Sequence, residues 1–250
     1  MLIIILLCIA GFVAAFVDSI AGGGGLITVP AFMLTGLPTH MVLGTNKFSA
    51  TAGSFTSSLK FIKSGKANFK LLKYLIPFTF LGSMLGVRAV LNIDQKFLNG
   101  LVLILIMFIG IYTLFSKSLG LKDKFQGLTK KNVFYGIILA FSLGFYDGFF
   151  GPGTGSFLVF GFISIFGFNF LASSANARIL NFTSGITALV LFALSGKINY
   201  TLGIPVAISM VIGARMGTAV ALNKGSKLIK PIFVTMSLAV AVKMLIDIVY

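Results

Sequence analysis

The chain has 250 residues, of which 57% are hydrophobic and 10% charged, and its mean hydropathy is +1.05. Polar groups are too few to cover a water-soluble globule of this size, so the composition predicts a membrane protein. The formal net charge of +15 would suit a nucleic-acid partner in a soluble protein, but most basic residues lie in short loops between apolar runs, which is the positive-inside pattern and argues against nucleic acid.

The apolar runs have helical length and lack the alternating pattern of barrel strands, so we expect an all-α polytopic membrane protein. The second run is shorter than the about 20 residues that a hydrocarbon core requires. Gly22, Pro30, Gly36 and Pro38 bracket or interrupt it, which predicts a broken or re-entrant helix. The predicted segments are 2–17, 24–36, 43–62, 74–91, 97–116, 132–149, 154–171, 175–194, 201–222 and 231–249.

Matched motifs at a nearly constant spacing predict an internal duplication. The spacing drifts only from 129 to 131 residues, and the motifs stay in order. We therefore expect a first transmembrane repeat at 1–116, a basic cytoplasmic linker at 117–131 and a second repeat at 132–250, within one integral membrane domain. The matches are Asp18–Gly24 with Asp147–Gly153, Asn46 with Asn176, Ser64–Phe69 with Ser195–Tyr200, and Gly82 and Gly86 with Gly213 and Gly217. We assign the last four glycines to close helix packing.

Lysine clusters at 60–73, 117–131 and 224–230 bear on the orientation of the two halves. If all ten segments cross, all three clusters are cytoplasmic; if the short segments do not cross, leaving eight spans, the last cluster lies outside. The positive-inside rule therefore favours two inverted five-segment repeats over parallel ones. The first segment has no basic stretch before it, so we interpret it as a retained helix and not a signal peptide.

Two of the five acidic residues, Asp18 and Asp147, occupy equivalent positions just before glycine-rich breaks. An ionised carboxylate in a membrane must be paired, hydrated or titrating. The two aspartates are therefore candidates for a cation or proton coupling site. A structural ion pair is the alternative, because buried ion pairs also serve as scaffolding.

The glycine-rich breaks are candidate substrate-binding loops, because exposed amides at the start of a helix can hold an anion. Close helix packing is the alternative explanation for them. The glycines concerned are Gly22, Gly23, Gly24, Gly151 and Gly153.

The third segment of each half carries an intramembrane cation beside asparagines: Asn46 and Lys47 in one, Asn176, Arg178 and Asn181 in the other. Lys47 and Arg178 lie at near but not identical positions of the repeat. We expect these five residues to line one central anion site, with the cations neutralised either by the two aspartates or by the bound anion. Lys47 could alternatively extend its ammonium to the membrane interface.

The residue inventory offers little for catalysis or metal binding. His40 is the only histidine, glutamate is absent, and Cys8 is the only cysteine. We therefore predict no catalytic set, no metal site, no cofactor and no enzyme activity, although an intramembrane aspartyl enzyme built on Asp18 and Asp147 remains an alternative.

These motifs resemble the TauE/SafE family of membrane permeases, which includes sulfite and organosulfonate exporters. The resemblance runs through nearly the whole chain and rests on the glycine-rich segments after Asp18 and Asp147, on Gly44–Lys47, and on Ala175–Ser184. Arg178 stands where the family often has lysine. The resemblance implies export or uptake of a small sulfur-containing or carboxylated anion across a bacterial inner membrane.

We thus expect a multi-pass secondary transporter that moves a small anion by alternating access at the interface of its repeats. Proton coupling is left open, as are the direction of transport and a homodimeric assembly. Membrane lipids are the other expected partners. A passive anion channel, an intramembrane enzyme and a subunit of a membrane complex are the alternatives.

Overall fold

The computed structural model describes residues 2–98, 100, 101, 104 and 123–224, and all regular secondary structure in these ranges is helical. The expected all-α fold is therefore confirmed. The predicted segment 231–249, and all but the start of segment 97–116, lie outside the described residues. We number the helices α1 (Leu2–Ala21), α2 (Gly25–Met33), α3 (Thr39–Lys63), α4 (Phe69–Leu91), α5 (Lys130–Phe149), α6 (Thr154–Phe166), α7 (Phe170–Leu194) and α8 (Tyr200–Lys224).

Five of these helices, α1, α4, α5, α7 and α8, are long and apolar enough to cross a membrane. The 25-residue α3 has the length, but buried polar side chains such as Asn46, Lys47 and Ser54 lower its hydropathy. Its place is inside the bundle, where it packs against α7 and α8. A polar helix shielded by apolar ones is the expected arrangement in lipid. The chain is thus a multi-pass membrane protein.

The short helices α2 and α6 have nine and 13 residues. At 1.5 Å per residue they extend about 14 and 20 Å, which is less than a hydrocarbon core of about 30 Å. Glycines in the left-handed region separate each from the helix before it: φ is +90° at Gly22, +91° at Gly23, +103° at Gly151 and +85° at Gly153. Because L side chains rarely adopt this conformation, these positions end α1 and α5 and redirect the chain.

Pairs of glycines bring helices of the two halves into backbone contact. A Cβ added at Gly82 or Gly86 would lie 2.2 or 2.1 Å from a backbone oxygen of α5, and one at Gly213 or Gly217 would lie 2.2 Å from a backbone oxygen of α1. The packing role assigned to these four glycines is confirmed. Both contacts advance along the two helices in the same direction, so α4 runs parallel to α5 and α1 parallel to α8.

Helices α3 and α7 cross in opposite directions. Gly44, near the start of α3, packs against Lys197 just after α7, and Ser58, near the end of α3, donates to the carbonyl of Arg178 in the first part of α7 at 2.9 Å. Every one of these close contacts joins the first half (α1–α4) to the second (α5–α8).

Apolar side chains form two separate clusters with polar residues between them. One cluster contains Val29, Phe32 and Leu43, and the other contains Phe61 and Leu75. Along α3, Lys47, Thr51, Ser54 and Ser58 lie between Leu43 of the first cluster and Phe61 of the second. The core therefore has a polar middle layer.

Candidate functional site

A cavity of about 50 Å³ lies in the polar layer, where α1, α3, α5 and α7 approach each other. This is room for a few water molecules or one small ion, since one water needs about 10–15 Å³ by the same measure. Nine predicted site residues line it: Asp18, Gly23, Gly24, Asn46, Lys47, Asp147, Gly151, Gly153 and Asn181.

Two buried ion pairs stand at this cavity, and each joins one half of the chain to the other. Lys47 Nζ of α3 lies 2.9 Å from Asp147 Oδ1 of α5. Arg178 Nη1 of α7 donates to Asp18 Oδ2 of α1. The four charges of these two pairs thus compensate each other, and the ammonium of Lys47 is directed at Asp147 rather than at the membrane interface.

The two ion pairs differ in the burial of their side chains and in the number of hydrogen-bond donors that have no described partner. The side chains of Lys47 and Asp147 are 6% and 5% exposed, whereas that of Asp18 is 21% exposed. Asp18 also accepts a hydrogen bond of 3.1 Å from the Gly24 amide through its other oxygen. Arg178 is fully buried, yet its Nε and Nη2 have no hydrogen-bond partner among the residues that the structure describes.

Unpaired buried donors are costly, because they have lost water without gaining a partner. The free edge of Arg178 is therefore suited to a ligand with two acceptor oxygens. A buried acceptor is also without a partner. Oδ1 of Asn46, which lines the cavity, accepts no hydrogen bond within the described part of the chain. Asn46 lines the cavity, whereas Arg178 lies behind its wall, against the lining residues Asp18 and Gly155.

The two glycine-rich breaks touch each other at the interface of the halves. A Cβ added at Gly22 would lie 2.4 Å from the amide nitrogen of Ser156, and one at Gly25 would lie 3.0 Å from Cα of Pro152. The sequence motifs that were matched as a repeat therefore meet in space, although Gly22 itself faces Ser156 and does not line the cavity.

Two further glycines allow the backbone to approach the ion pairs. A Cβ at Gly151 would lie 2.5 Å from Lys47 Nζ, and one at Gly155 would lie 2.6 Å from Arg178 Nη2. Gly155 was not among the predicted site residues. Its signal was its place in the motif Gly151–Gly155, where glycine recurs at every second position.

Asn176 does not line the cavity, and its side chain makes hydrogen bonds to two backbone groups instead. Its Oδ1 accepts from the backbone amide of Asn68 at 2.9 Å, and its Nδ2 donates to the Ala172 carbonyl at 2.8 Å. The equivalent bond in the first half is made by Thr45, whose Oγ1 accepts from the amide of Asn199 at 2.9 Å. Asn176 therefore anchors the start of α4 in this conformation.

These reciprocal bonds also change the alignment of the halves. Asn68 and Asn199 are already matched, so Asn176 matches Thr45 and not Asn46. With the same spacing, Lys47 matches Arg178. The sequence analysis placed the two cations at near but not identical positions; the pattern of these two hydrogen bonds aligns them with each other, one in each half.

No group of three metal-ligating His, Cys, Asp or Glu side chains occurs among the residues that the structure describes. The free Cys8 lies partly buried in α1.

The apolar spans around a buried, charged cavity define a multi-pass membrane protein with the internal polar site of a transporter. The family model described as "Sulfite exporter TauE/SafE" matches residues 7–244. The chain belongs to the TauE/SafE sulfite exporter family, and it is accordingly a membrane transporter. This confirms the resemblance and agrees with the predicted location in the bacterial inner membrane and with the expectation that the chain is not an enzyme.

Bacterial relatives share most of the chain. A "Probable membrane transporter protein" of Haemophilus influenzae is 41% identical over 246 residues, covering 98% of this chain and 95% of the relative. "Probable membrane transporter protein YfcA" of Escherichia coli is 39% identical over 234 residues, covering 94% and 86%. "Probable membrane transporter protein ORF9" of Sinorhizobium sp is 35% identical over 241 residues, covering 96% and 92%. No solved structure matches the chain.

Proposed function

We propose that the protein is a carrier for a small sulfur-containing or carboxylated anion, such as sulfite or an organosulfonate, and that it works by alternating access between two inverted halves. The observation that supports this most directly is that two ion pairs join the halves beside one small cavity. A site built from equivalent residues of both halves can be exposed to either side when one half moves against the other.

Arg178 is the proposed anchor of the anion. Its Nε and Nη2, which have no partner in the described part of the chain, present a planar fork that fits two oxygens of a sulfite, sulfonate or carboxylate group. Asn46 and Asn181 line the cavity as secondary polar contacts. Lys47, held by Asp147, contributes positive potential without a free edge of this kind.

Charge balance supports coupling to a proton. Two cations and two carboxylates sum to zero, so an added anion would leave a net negative charge in a buried site. Protonation of Asp18, the more exposed of the two carboxylates, would release Arg178 Nη1 and restore neutrality with the anion bound. One proton and one anion then enter the site together.

The aspartate variants test this coupling. Asp18→Asn mimics the protonated state, so we expect reconstituted protein that binds the anion but no longer accumulates it in response to a pH gradient. Asp147→Asn serves as the comparison at the equivalent position. Wild-type pH dependence in both variants would return the aspartates to a purely structural role.

Inverted repeats account for the directions of the helices. The third helices of the halves, α3 and α7, run antiparallel, while α1–α8 and α4–α5 contacts repeat the same parallel pairing. In this arrangement the short α2 and α6 each belong to a broken segment that crosses the membrane, and the glycine-rich breaks before them lie inside the membrane.

Single-cysteine labelling tests the inversion. In a Cys8→Ser background, Ser64→Cys and Ser195→Cys change matched positions at the ends of α3 and α7. We expect Ser64→Cys to label from the cytoplasm, as Asp123→Cys should, and Ser195→Cys from outside. Labelling of both serine positions from one side would support parallel repeats instead.

A thermal-shift screen of the purified protein against sulfite, thiosulfate, sulfonates and carboxylates tests the substrate class, because a ligand of the native state raises its apparent stability. Transport of the best ligand is then measured in proteoliposomes. Uphill accumulation or obligatory exchange identifies a carrier, whereas flux that only dissipates a gradient identifies the passive channel.

A further inference from the structure

A second concave site lies at the lysine-rich end of the protein, away from the central cavity. It is a groove of about 690 Å³ between the first turns of α4 and α5. The two helices run parallel and both begin at this end, α4 at Phe69 and α5 at Lys130. Their positive dipole ends therefore reinforce each other at the groove.

The groove is strongly basic. Lys70, Lys73 and Lys130 line it with exposed side chains, and none of its lining residues is acidic. The fold does not demand these charges, because the positions of the second half that match Lys70 and Lys73 hold Thr201 and Ile204. Three ammonium groups around one concavity form a site of positive potential with no internal counter-ion.

The walls of the groove are apolar and aromatic. Tyr74 and Phe134 are 45% and 60% exposed, and Val133 and Ile137 continue the apolar surface along α5. The ammonium of Lys73 lies 4.8 Å from the centre of the Tyr74 ring. Exposed aromatic rings beside lysines at the end of membrane helices are typical of the level of lipid headgroups.

We propose that this groove binds an anionic phospholipid, whose phosphate is held by Lys70, Lys73 and Lys130 and whose acyl chain lies along the apolar walls. Charge complementarity selects an anionic headgroup over a zwitterionic one. The apolar walls select a lipid over a free phosphate, because a soluble anion would leave Phe134 and Ile137 uncovered. The site is independent of the transported anion.

Native mass spectrometry of the full chain, exchanged between phosphatidylglycerol and phosphatidylcholine of the same acyl chains, tests the proposal. We expect preferential retention of phosphatidylglycerol. Lys70→Gln, Lys73→Gln and Lys130→Gln should each weaken its binding about fivefold, equivalent to about 1 kcal/mol per cation near an anionic lipid, and the triple variant about 100-fold.

The matched control is the triple variant Lys63→Gln, Lys66→Gln and Lys124→Gln, which removes the same charge from exposed lysines at this end outside the groove. It should keep the preference within about twofold, because exposed charges outside the groove are screened by salt. Equal loss in both triple variants, or no loss in the groove variant, would overturn the proposal.

Two further measurements separate a lipid from a soluble phosphate compound. Ile137→Trp fills the apolar wall and should weaken phosphatidylglycerol binding while leaving every lysine in place. Glycerol phosphate, the headgroup without acyl chains, should fail to displace the lipid at millimolar concentration. Displacement by glycerol phosphate together with an unaffected Ile137→Trp variant would show that the groove binds the phosphate alone and would overturn the lipid assignment.

Discussion

The two ion pairs beside the cavity come from positions that match in the proposed repeat, yet their chemistry differs. Lys47 and Asp147 are both almost fully buried, and the lysine directs its point charge at one carboxylate oxygen. Arg178 uses one nitrogen on Asp18, keeps two nitrogens that have no partner among residues 2–98 and 123–224, and faces a carboxylate that is 21% exposed. We call Lys47 and Asp147 the closed pair and Arg178 and Asp18 the open pair, and we propose that the closed pair stabilises the interface while the open pair takes part in binding and coupling.

The largest expected effect is the loss of the closed pair. Lys47→Met leaves Asp147 as a buried, unpaired charge, so we expect the free energy of unfolding to fall by about 3–5 kcal/mol. The double variant Lys47→Met with Asp147→Leu removes both charges and should recover most of that loss. Unfolding of the purified variants in detergent measures both effects. A single variant as stable as wild type would show that Asp147 does not depend on Lys47.

Exchange of the two cations should separate their roles. Arg178→Lys keeps a cation for Asp18 but removes the free planar edge, so we expect anion affinity to fall about 10- to 150-fold through the loss of charged hydrogen bonds. Lys47→Arg is the matched control at the equivalent position and should change affinity less than about threefold. Calorimetric titration with the ligand from the thermal-shift screen measures both. If the larger loss occurs in Lys47→Arg, the assignment of open and closed pairs is reversed.

We expect a smaller loss of stability than in Lys47→Met when an added methyl group pushes the backbone away from the closed pair. In Gly151→Ala the new methyl group would lie 2.5 Å from Lys47 Nζ at a φ of +103°, so crowding and strain together should destabilise the fold by about 2–4 kcal/mol. Gly65→Ala, at a φ of +68° with open space around it, isolates the strain and should cost about 1–2 kcal/mol. Equal unfolding free energies in the two variants would contradict the close contact.

Substitution of the asparagines should have the smallest effects, and whether affinity or stability falls should depend on where each asparagine lies. Asn46→Ala and Asn181→Ala alter the cavity wall, so we expect anion affinity to fall by up to about 10-fold, as for a single neutral hydrogen bond. Asn176→Ala removes the acceptor for the Asn68 amide and should lower stability by about 1–3 kcal/mol with little change in affinity. An affinity loss in Asn176→Ala larger than in Asn46→Ala would return Asn176 to the binding site.

The helical fold was predictable because composition and length determine it: in lipid the backbone of an apolar run must bond to itself. The bounds agree closely for the predicted segment 132–149 and the observed Lys130–Phe149, whereas predicted segment 154–171 extends five residues beyond the observed Thr154–Phe166, and predicted segments 74–91 and 175–194 begin five residues after Phe69 and Phe170. The motif pattern also singled out Asp18, Asp147, Lys47 and Arg178 before any contact was known. Charges and glycines are rare enough in such segments to stand out.

The alignment of α3 with α7 was not predictable from residue types alone. Matching Asn46 with Asn176 preserves residue type, whereas the structure matches Thr45 with Asn176 by the bond that each makes to a loop amide. A hydroxyl and a carboxamide oxygen can accept the same hydrogen bond, so equivalent roles do not require equal residues.

By itself the sequence determined a helical membrane protein, its family and the residue types of a charged site, because hydropathy and rare polar groups are local properties of the chain. Only the tertiary structure decided which cation meets which carboxylate: Lys47 pairs with Asp147 and Arg178 with Asp18, each across the two halves. It also decided that Asn176 holds a loop while Gly155 lies against Arg178. Such pairings depend on the direction in which helices distant in sequence cross, and no local pattern of residues encodes that direction.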